Sequence, residues 1–234
     1  MSTLSGRRVV VTGAAGDLGV EAVTAAVEAG ADVVVVGRSQ ARLAVLTDRF
    51  GGSVSEARAV DLLDDRAVAD LAESLGAVDA VWHLVGGWRG GAPLPEQPLQ
   101  DWDWLHDQLV RTTVHVARSF AGTLAASRSG RFAIVSAKEA AAPTSKNAGY
   151  AAAKAAAEAV VLALANEFDR TPATANAIVV PAIVTPAMQD KNPDKDWGAF
   201  VPAEQIAQTL VYLSSDAGAK MNGQRIRLYS GAPS

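Results

Sequence analysis

Arg8-Val9-Val10-Val11-Thr12-Gly13-Ala14-Ala15-Gly16-Asp17-Leu18-Gly19 runs from a β-branched stretch through a glycine turn into the helix-forming residues Val20 to Ala29. Strand, glycine turn and helix in that order let backbone approach a ligand closely, and the free amides at the helix start favour a phosphate. A glycine turn with no ligand is the plainer alternative, but the flanking strand and helix are what a dinucleotide site requires. Gly13, Ala15, Gly16, Asp17, Leu18 and Gly19 are therefore expected around a pyrophosphate.

Outward from this turn, strands and helices alternate. Asp32-Val-Val-Val-Val-Gly37 reads as a second strand, followed by Arg38-Ser39 and a helix to about Phe50. A carboxylate at that strand end would accept from an adenosine ribose, whereas Gly37 and Arg38 leave room and positive charge for a 2′-phosphate. NADP is thus preferred, with NAD possible; a solvated Arg38 is the alternative, and Arg42 one turn on could be equally passive. Val54 to Val60 reads as a third strand. After it, Asp61 and Leu62 would flank the adenine, or Asp61 would cap the helix Asp65 to Leu75. Val78 to Leu84 is a fourth strand running into Val85-Gly86-Gly87-Trp88-Arg89-Gly90-Gly91, a second wall for the cleft. Trp88 either covers a flat substrate or braces that loop.

Residues 92–99 carry three prolines and read as a surface connection, and Asp101 to about Ala126 returns to helix. Asp101, Asp103 and Asp107 suit the start of a helix better than a metal, and His106 and His115 lack a ligand set. Trp82, Trp102 and Trp104 read as core or interface residues. The apolar run Phe132 to Val135 is a buried strand, so the Ser136 hydroxyl emerges at its carboxyl end, in reach of a substrate carbonyl oxygen. From Tyr150 to about Ala165 the chain is helix, which sets Tyr150 and Lys154 on one face. An ammonium beside a phenol lowers its pKa from about 10 and makes Tyr150 an acid or base. Tyr and Lys four apart also arise by chance, with Tyr packed and Lys solvated.

Asn176 to Pro181 forms a further strand passing into Ile183, Thr185 and Met188; residues 186–201 read as a substrate lid, Pro202 to Ser214 as a helix and Gln224 to Tyr229 as a last strand. The whole predicts an α/β fold over residues 1–234, a single Rossmann-type doubly wound parallel sheet of about seven strands with helices on both faces.

Composition narrows the partners. The 234 residues are 49% hydrophobic and 20% charged, enough for one well-filled domain. A net charge of -4 and a pI near 5.4 give no attraction to nucleic acid or acidic membranes. Cysteine is absent, which fits a cytoplasmic protein and removes thiolate chemistry. Met1 to Arg8 is too polar for a signal peptide, and no apolar run approaches the ~20 residues that span a bilayer. The alanine-rich face of helix 151–165 and the helix before it are too apolar to be left wet, predicting a homodimer or homotetramer.

Jointly, Thr12-Gly13 to Gly19, Asp61-Leu62, Ser136, Tyr150-xxx-Lys154, Pro181 to Thr185 and Asn222-Gly223-Gln224 resemble the short-chain dehydrogenase/reductase family over nearly the whole chain. The resemblance implies that Tyr150 gives a proton to a carbonyl as hydride arrives and that Ser136 holds the oxygen. Lys154 would tune Tyr150 and bind the nicotinamide ribose, with Pro181, Ile183 and Thr185 on the nicotinamide side. Three departures stand out: the T-G-x-x-G-x-x-G spacing, His83-Leu-Val-Gly86 where the family has Asn-Asn-Ala-Gly, and Leu109 at the helix position of a fourth catalytic Asn. The last leaves proton relay through Lys154 to a solvent path, or turnover slow. Residues 78–91, Thr185-Pro-Ala-Met188 and the missing Asn are similar to the dihydropteridine reductase branch, whereas Gly37-Arg38 and Ser136 are not. Three functions are therefore expected to compete: NADP(H)-dependent carbonyl or alcohol chemistry, reduction of a quinonoid or imine ring, and a non-catalytic NADP-binding sensor or structural subunit.

Overall fold

The computed structural model describes residues 3–230. The opening stretch forms β1 (Arg8–Thr12), a turn, and α1 (Asp17–Glu28), followed by β2 (Asp32–Gly37), α2 (Gln40–Phe50), β3 (Val54–Ala59), α3 (Asp65–Leu75) and β4 (Ala80–His83). The second half holds α4 (Leu99–Leu105), α5 (Thr112–Ala126), β5 (Arg131–Ala137), α6 (Ala148–Glu167), β6 (Thr174–Val180), β7 (Ile183–Val184), α7 (Pro186–Lys191), β8 (Val201–Pro202), α8 (Ala203–Ser214) and β9 (Arg225–Arg227). Seven strands lie parallel in the order β3-β2-β1-β4-β5-β6-β9, as expected for a doubly wound sheet, and β7 pairs with β8 in a separate ribbon.

The unbroken valine runs follow from cover on both faces. Val9, Val11, Val33 and Val35 pack towards Val23 and Ala26 of α1 and Ile206 and Leu210 of α8. Their alternates Val10, Val34 and Val36 pack with Leu71 of α3, Phe120 of α5 and Val161 of α6. The order of strands reverses at β1: Thr12 aligns with Val36 on one side and His83 on the other. A crevice opens at such a reversal, beyond the strand carboxyl ends.

The helix expected from Asp101 to Ala126 is interrupted. Between α4 and α5, His106–Arg111 is π-helical, and the Thr112 amide donates to Asp107 O. Thr112 and Thr113 then donate their hydroxyls to Gln108 O and Leu109 O, each at 2.7 Å, so the widened turn keeps its carbonyls occupied. β4 is also shorter than the run Val78 to Leu84. The Val78 amide donates to Thr123 Oγ1 at 3.3 Å, and the Asp79 carboxylate accepts from Arg8 N at 2.9 Å and Ser127 Oγ at 2.6 Å, so side chains take up the hydrogen bonding at the strand's start. β9 is trimmed at Gln224, whose amide donates to Asn176 Oδ1 at 2.9 Å.

The expectation that no segment could span a bilayer needs correction. α6 has 20 residues and an 18-residue window of mean hydropathy 1.4, enough by length and composition. It serves as a core helix instead, packed on β5, β6 and α5 with half of that window buried.

Candidate active site

The crevice above β1 is built by absence of side chains. Gly13 sits at φ +72, and a Cβ there would lie 3.0 Å from the Leu84 carbonyl; at Gly19 it would lie 2.2 Å from Gly13 O. Only glycine allows the turn and the helix to approach that closely. The Gly16 amide donates to Gly13 O at 2.9 Å, and Gly16 caps α1 without a side-chain bond, leaving the helix's positive end open towards the crevice.

Two cavities meet here. One, of about 290 Å³, is lined by Gly13, Ala15 and Gly16 from the turn, Arg38 and Ser39 after β2, and Asp61 and Leu62 after β3. The other, of about 630 Å³, takes Asp17, Leu18 and Gly19 from the start of α1, Ser136, Tyr150 and Lys154 from β5 and α6, and Pro181, Ile183, Thr185 and Met188 beyond β6. Gly13, Gly16, Val85 and Gly86 line both, while Gly87 and Trp88 line the second. Every residue expected at the site therefore borders one continuous cleft.

Several roles are more specific than the sequence reading. Ser39 Oγ caps α2 by accepting from the Arg42 amide at 3.3 Å, and the Arg42 guanidinium donates to Ala15 O, so α2 is tied to the glycine turn. Arg42, read as potentially passive, lines the smaller cavity. Asp61 does not cap α3; its carboxylate accepts from the Leu63 amide at 3.1 Å, and Asp64 caps the helix by accepting from Ala67 N at 3.0 Å. The loop after β4 is braced by Arg89, which pairs with Asp101 at 2.6 Å and stacks over Trp104 at 4.3 Å. Trp88 remains 60% exposed at the edge of the larger cavity.

Electrostatics corrects one expectation. Lys154 Nζ donates to Val135 O at 2.7 Å and lies 5.8 Å from the Tyr150 ring centroid, over its face. The phenol is not acidified. Burial, and then the negative charge of Glu139, push its pKa up instead. Burial likewise lowers Lys154 to about 8, opposed by the Glu158 carboxylate. Ser136 is 1% exposed, and its Oγ has no partner among the described residues. Leu109 is buried with Leu105 and Ala153, against Tyr150, and offers no proton path.

Two further residues, Glu139 and His83, were given no role in the sequence. Glu139, three residues after Ser136, lines the larger cavity. His83 is 2% exposed, with Nδ1 2.7 Å from Thr12 Oγ1 and Nε2 3.2 Å from Thr112 Oγ1. Thr112 already donates to Gln108 O, so it accepts from His83 Nε2–H, and Nδ1 accepts from Thr12. This tautomer satisfies both nitrogens, and burial lowers the imidazole pKa to about 3.

A parallel sheet reversing at a glycine turn, with Ser136, Tyr150 and Lys154 around one cleft, defines a Rossmann-type nucleotide-dependent oxidoreductase. A family model described as short chain dehydrogenase matches residues 7–196, and the chain belongs to that family. It is similar to dehydrogenase/reductase SDR family member 6 of Rattus norvegicus, 24% identical over 99% of both chains. It is also similar to L-xylulose reductase of Bos taurus, 28% identical over 97% of both. Among solved structures, a short chain dehydrogenase/reductase family protein matches with a TM-score of 0.85 at 26% identity, covering 96% of each chain. A short chain dehydrogenase of Shigella flexneri 2a strain 301 complexed with NADP matches at 0.86 and 22% identity, over 97% of this chain and 98% of that one.

Proposed function

We propose that the protein is an NADPH-dependent reductase of carbonyl compounds, with Ser136, Tyr150 and Lys154 as its catalytic residues. The observation that carries this is the unpartnered, buried Ser136 hydroxyl in the same cavity as Tyr150. A buried donor without a partner among the described residues, bordering such a cavity, suits an incoming carbonyl oxygen. It also favours a carbonyl over a ring substrate that would make no use of Ser136.

The residues present fit the cofactor. The uncapped end of α1, the crowding at Gly13 and Gly19 and the guanidinium of Arg38 suit a pyrophosphate and a 2′-phosphate, and Asp61 and Leu62 border the adenine end. The NADP bound by the Shigella relative supports the same choice. NADPH, when bound, supplies the hydride. Ser136 donates a hydrogen bond to the carbonyl oxygen and polarises it. Tyr150, kept protonated at neutral pH by burial, gives its proton to that oxygen, and Lys154 steadies the phenolate left behind. Trp88 and Met188 shape the substrate side, and residues 186–201 close over it. The tip of that segment is held by Trp197 edge-on to Phe200 at 4.9 Å, with Lys195 over both rings.

Following NADPH absorbance with a panel of ketones tests the reading. Ser136→Ala and Tyr150→Phe are each expected to lose about 100-fold or more in kcat, with NADPH affinity kept. Full activity of Tyr150→Phe would end it. The same reading places the protein in the cytoplasm, without nucleic acid or membrane partners. It also makes the protein a homodimer or homotetramer joined through α5 and α6, where Val114 and Leu162 are each 38% exposed, Leu162 beside Ala159 and Ala163.

A further inference from the structure

Two carboxylates border the larger cavity, and they do so at opposite ends of its function. Asp17 stands at the glycine turn, whereas Glu139 lies in the short turn Lys138–Ala140 directly after β5, beside Ser136 and Tyr150. Glu139 is half-buried, and among the described residues it makes no ion pair and no hydrogen bond. Lys154 is the cation lining this cavity, and it is held by Val135 O. The negative charge of Glu139 nevertheless reaches the phenol, where it adds to the effect of burial. Its carboxylate oxygens, in the same cavity as Ser136 and Tyr150 and unclaimed by the described residues, are free to accept from a ligand's donor.

We propose that Glu139 is a specificity residue, selecting carbonyl substrates that present a hydroxyl or ammonium donor near the reacting carbonyl and rejecting those with a carboxylate there. This rests on the carbonyl-reductase reading above. An O–H or N–H donor gains a charge-assisted hydrogen bond to Glu139. An anion at the same place, partly screened by protein and water, is penalised about 100-fold. Ser136, Tyr150 and Lys154 are left to the chemistry common to any ketone, and the turn after β5 sets which ketone enters.

Three butan-2-ones that differ only at one terminal group test this: 4-hydroxybutan-2-one, 4-aminobutan-2-one and acetoacetate. With NADPH, kcat/KM for the hydroxy and amino ketones is expected to exceed that for acetoacetate at least about 10-fold. Glu139→Gln keeps the size of the side chain and should bring the three within about threefold, and Glu139→Lys should reverse their order. A change in Tyr150 acidity would move all three rates together, so the ratio isolates selection. Binding of the same ketones to NADP-loaded protein, measured by calorimetry, separates the two levels of the claim. A ranking seen in binding and lost in Glu139→Gln, without any NADPH oxidation, would remove the reductase reading and keep the role of Glu139. Equal or tighter use of acetoacetate by the wild type, or a ratio unchanged in Glu139→Gln, would overturn the proposal.

Discussion

Lys154 and His83 show what burial does to a cation-forming side chain in this cleft. Lys154 has its pKa lowered to about 8 from 10.5, so below pH 8 it is charged in both folded and unfolded chains, and its charge costs the fold at neutral pH. Lys154→Met is accordingly expected to be more stable than wild type by about 1–2 kcal/mol at pH 7, after the lost bond to Val135 O, while reductase activity disappears. A melting curve beside an activity assay checks both halves, and a less stable variant would contradict the assignment. His83 falls from 6.5 to about 3. Between those values the unfolded chain takes up a proton that the folded chain refuses, so stability is present above pH 6.5 and declines as pH falls towards 3. Replacement by Gln should flatten that part of the stability profile, worth up to about 4 kcal/mol in wild type. Thermal midpoints at pH 7, 5 and 4 suffice to measure it. Neither shift was readable beforehand. The spacing of Tyr150 and Lys154 told correctly that they share a helix face, but said nothing of Val135 O, which fixes where the ammonium points, or of the burial that, with Glu139 added, makes the phenol less acidic.

At the scale of elements, what the chain announces is what depends on neighbours in sequence. β1, α1, β2 and α3 are legible because β-branched runs, glycine turns and helix formers act locally, and α3 begins and ends at the residues expected. The π-helical break at His106–Arg111 is not legible, since its carbonyls are satisfied by hydroxyls of Thr112 and Thr113 that read as ordinary helix. The trimmed ends of β4 and β9 likewise depend on partners far along the chain, such as Asp79 with Ser127 and Gln224 with Asn176. The π segment places Leu109 in a small apolar cluster with Leu105 and Ala153. Leu109→Asn puts an amide there without a described partner and should cost about 2 kcal/mol, read from denaturant midpoints.

Across the whole molecule, the sheet is closed at its β9 edge by an ion pair. Arg225 of β9 meets Glu158 of α6 at 2.6 Å, and Glu158 is 5% exposed with its other oxygen unpartnered. Arg225→Met strands that carboxylate and should destabilise the protein by about 3 kcal/mol at pH 7. Part of the loss should be recovered by Glu158→Gln in the same chain, a pattern that a double-mutant cycle would detect. The exposed Val114 of α5 and Leu162 of α6 belong to this scale too. Val114→Glu with Leu162→Glu is expected to yield a monomer by sedimentation, and an unchanged mass would place any subunit contact elsewhere.

The five residues shared by the two cavities, Gly13, Gly16, Leu84, Val85 and Gly86, have a kinetic corollary. Because the chambers share this wall, a long ligand can bridge them, and each of its ends holds the other at millimolar local concentration. Severed pieces such as 2′-phospho-AMP and nicotinamide mononucleotide would forgo that tethering and associate feebly, even when both are supplied together.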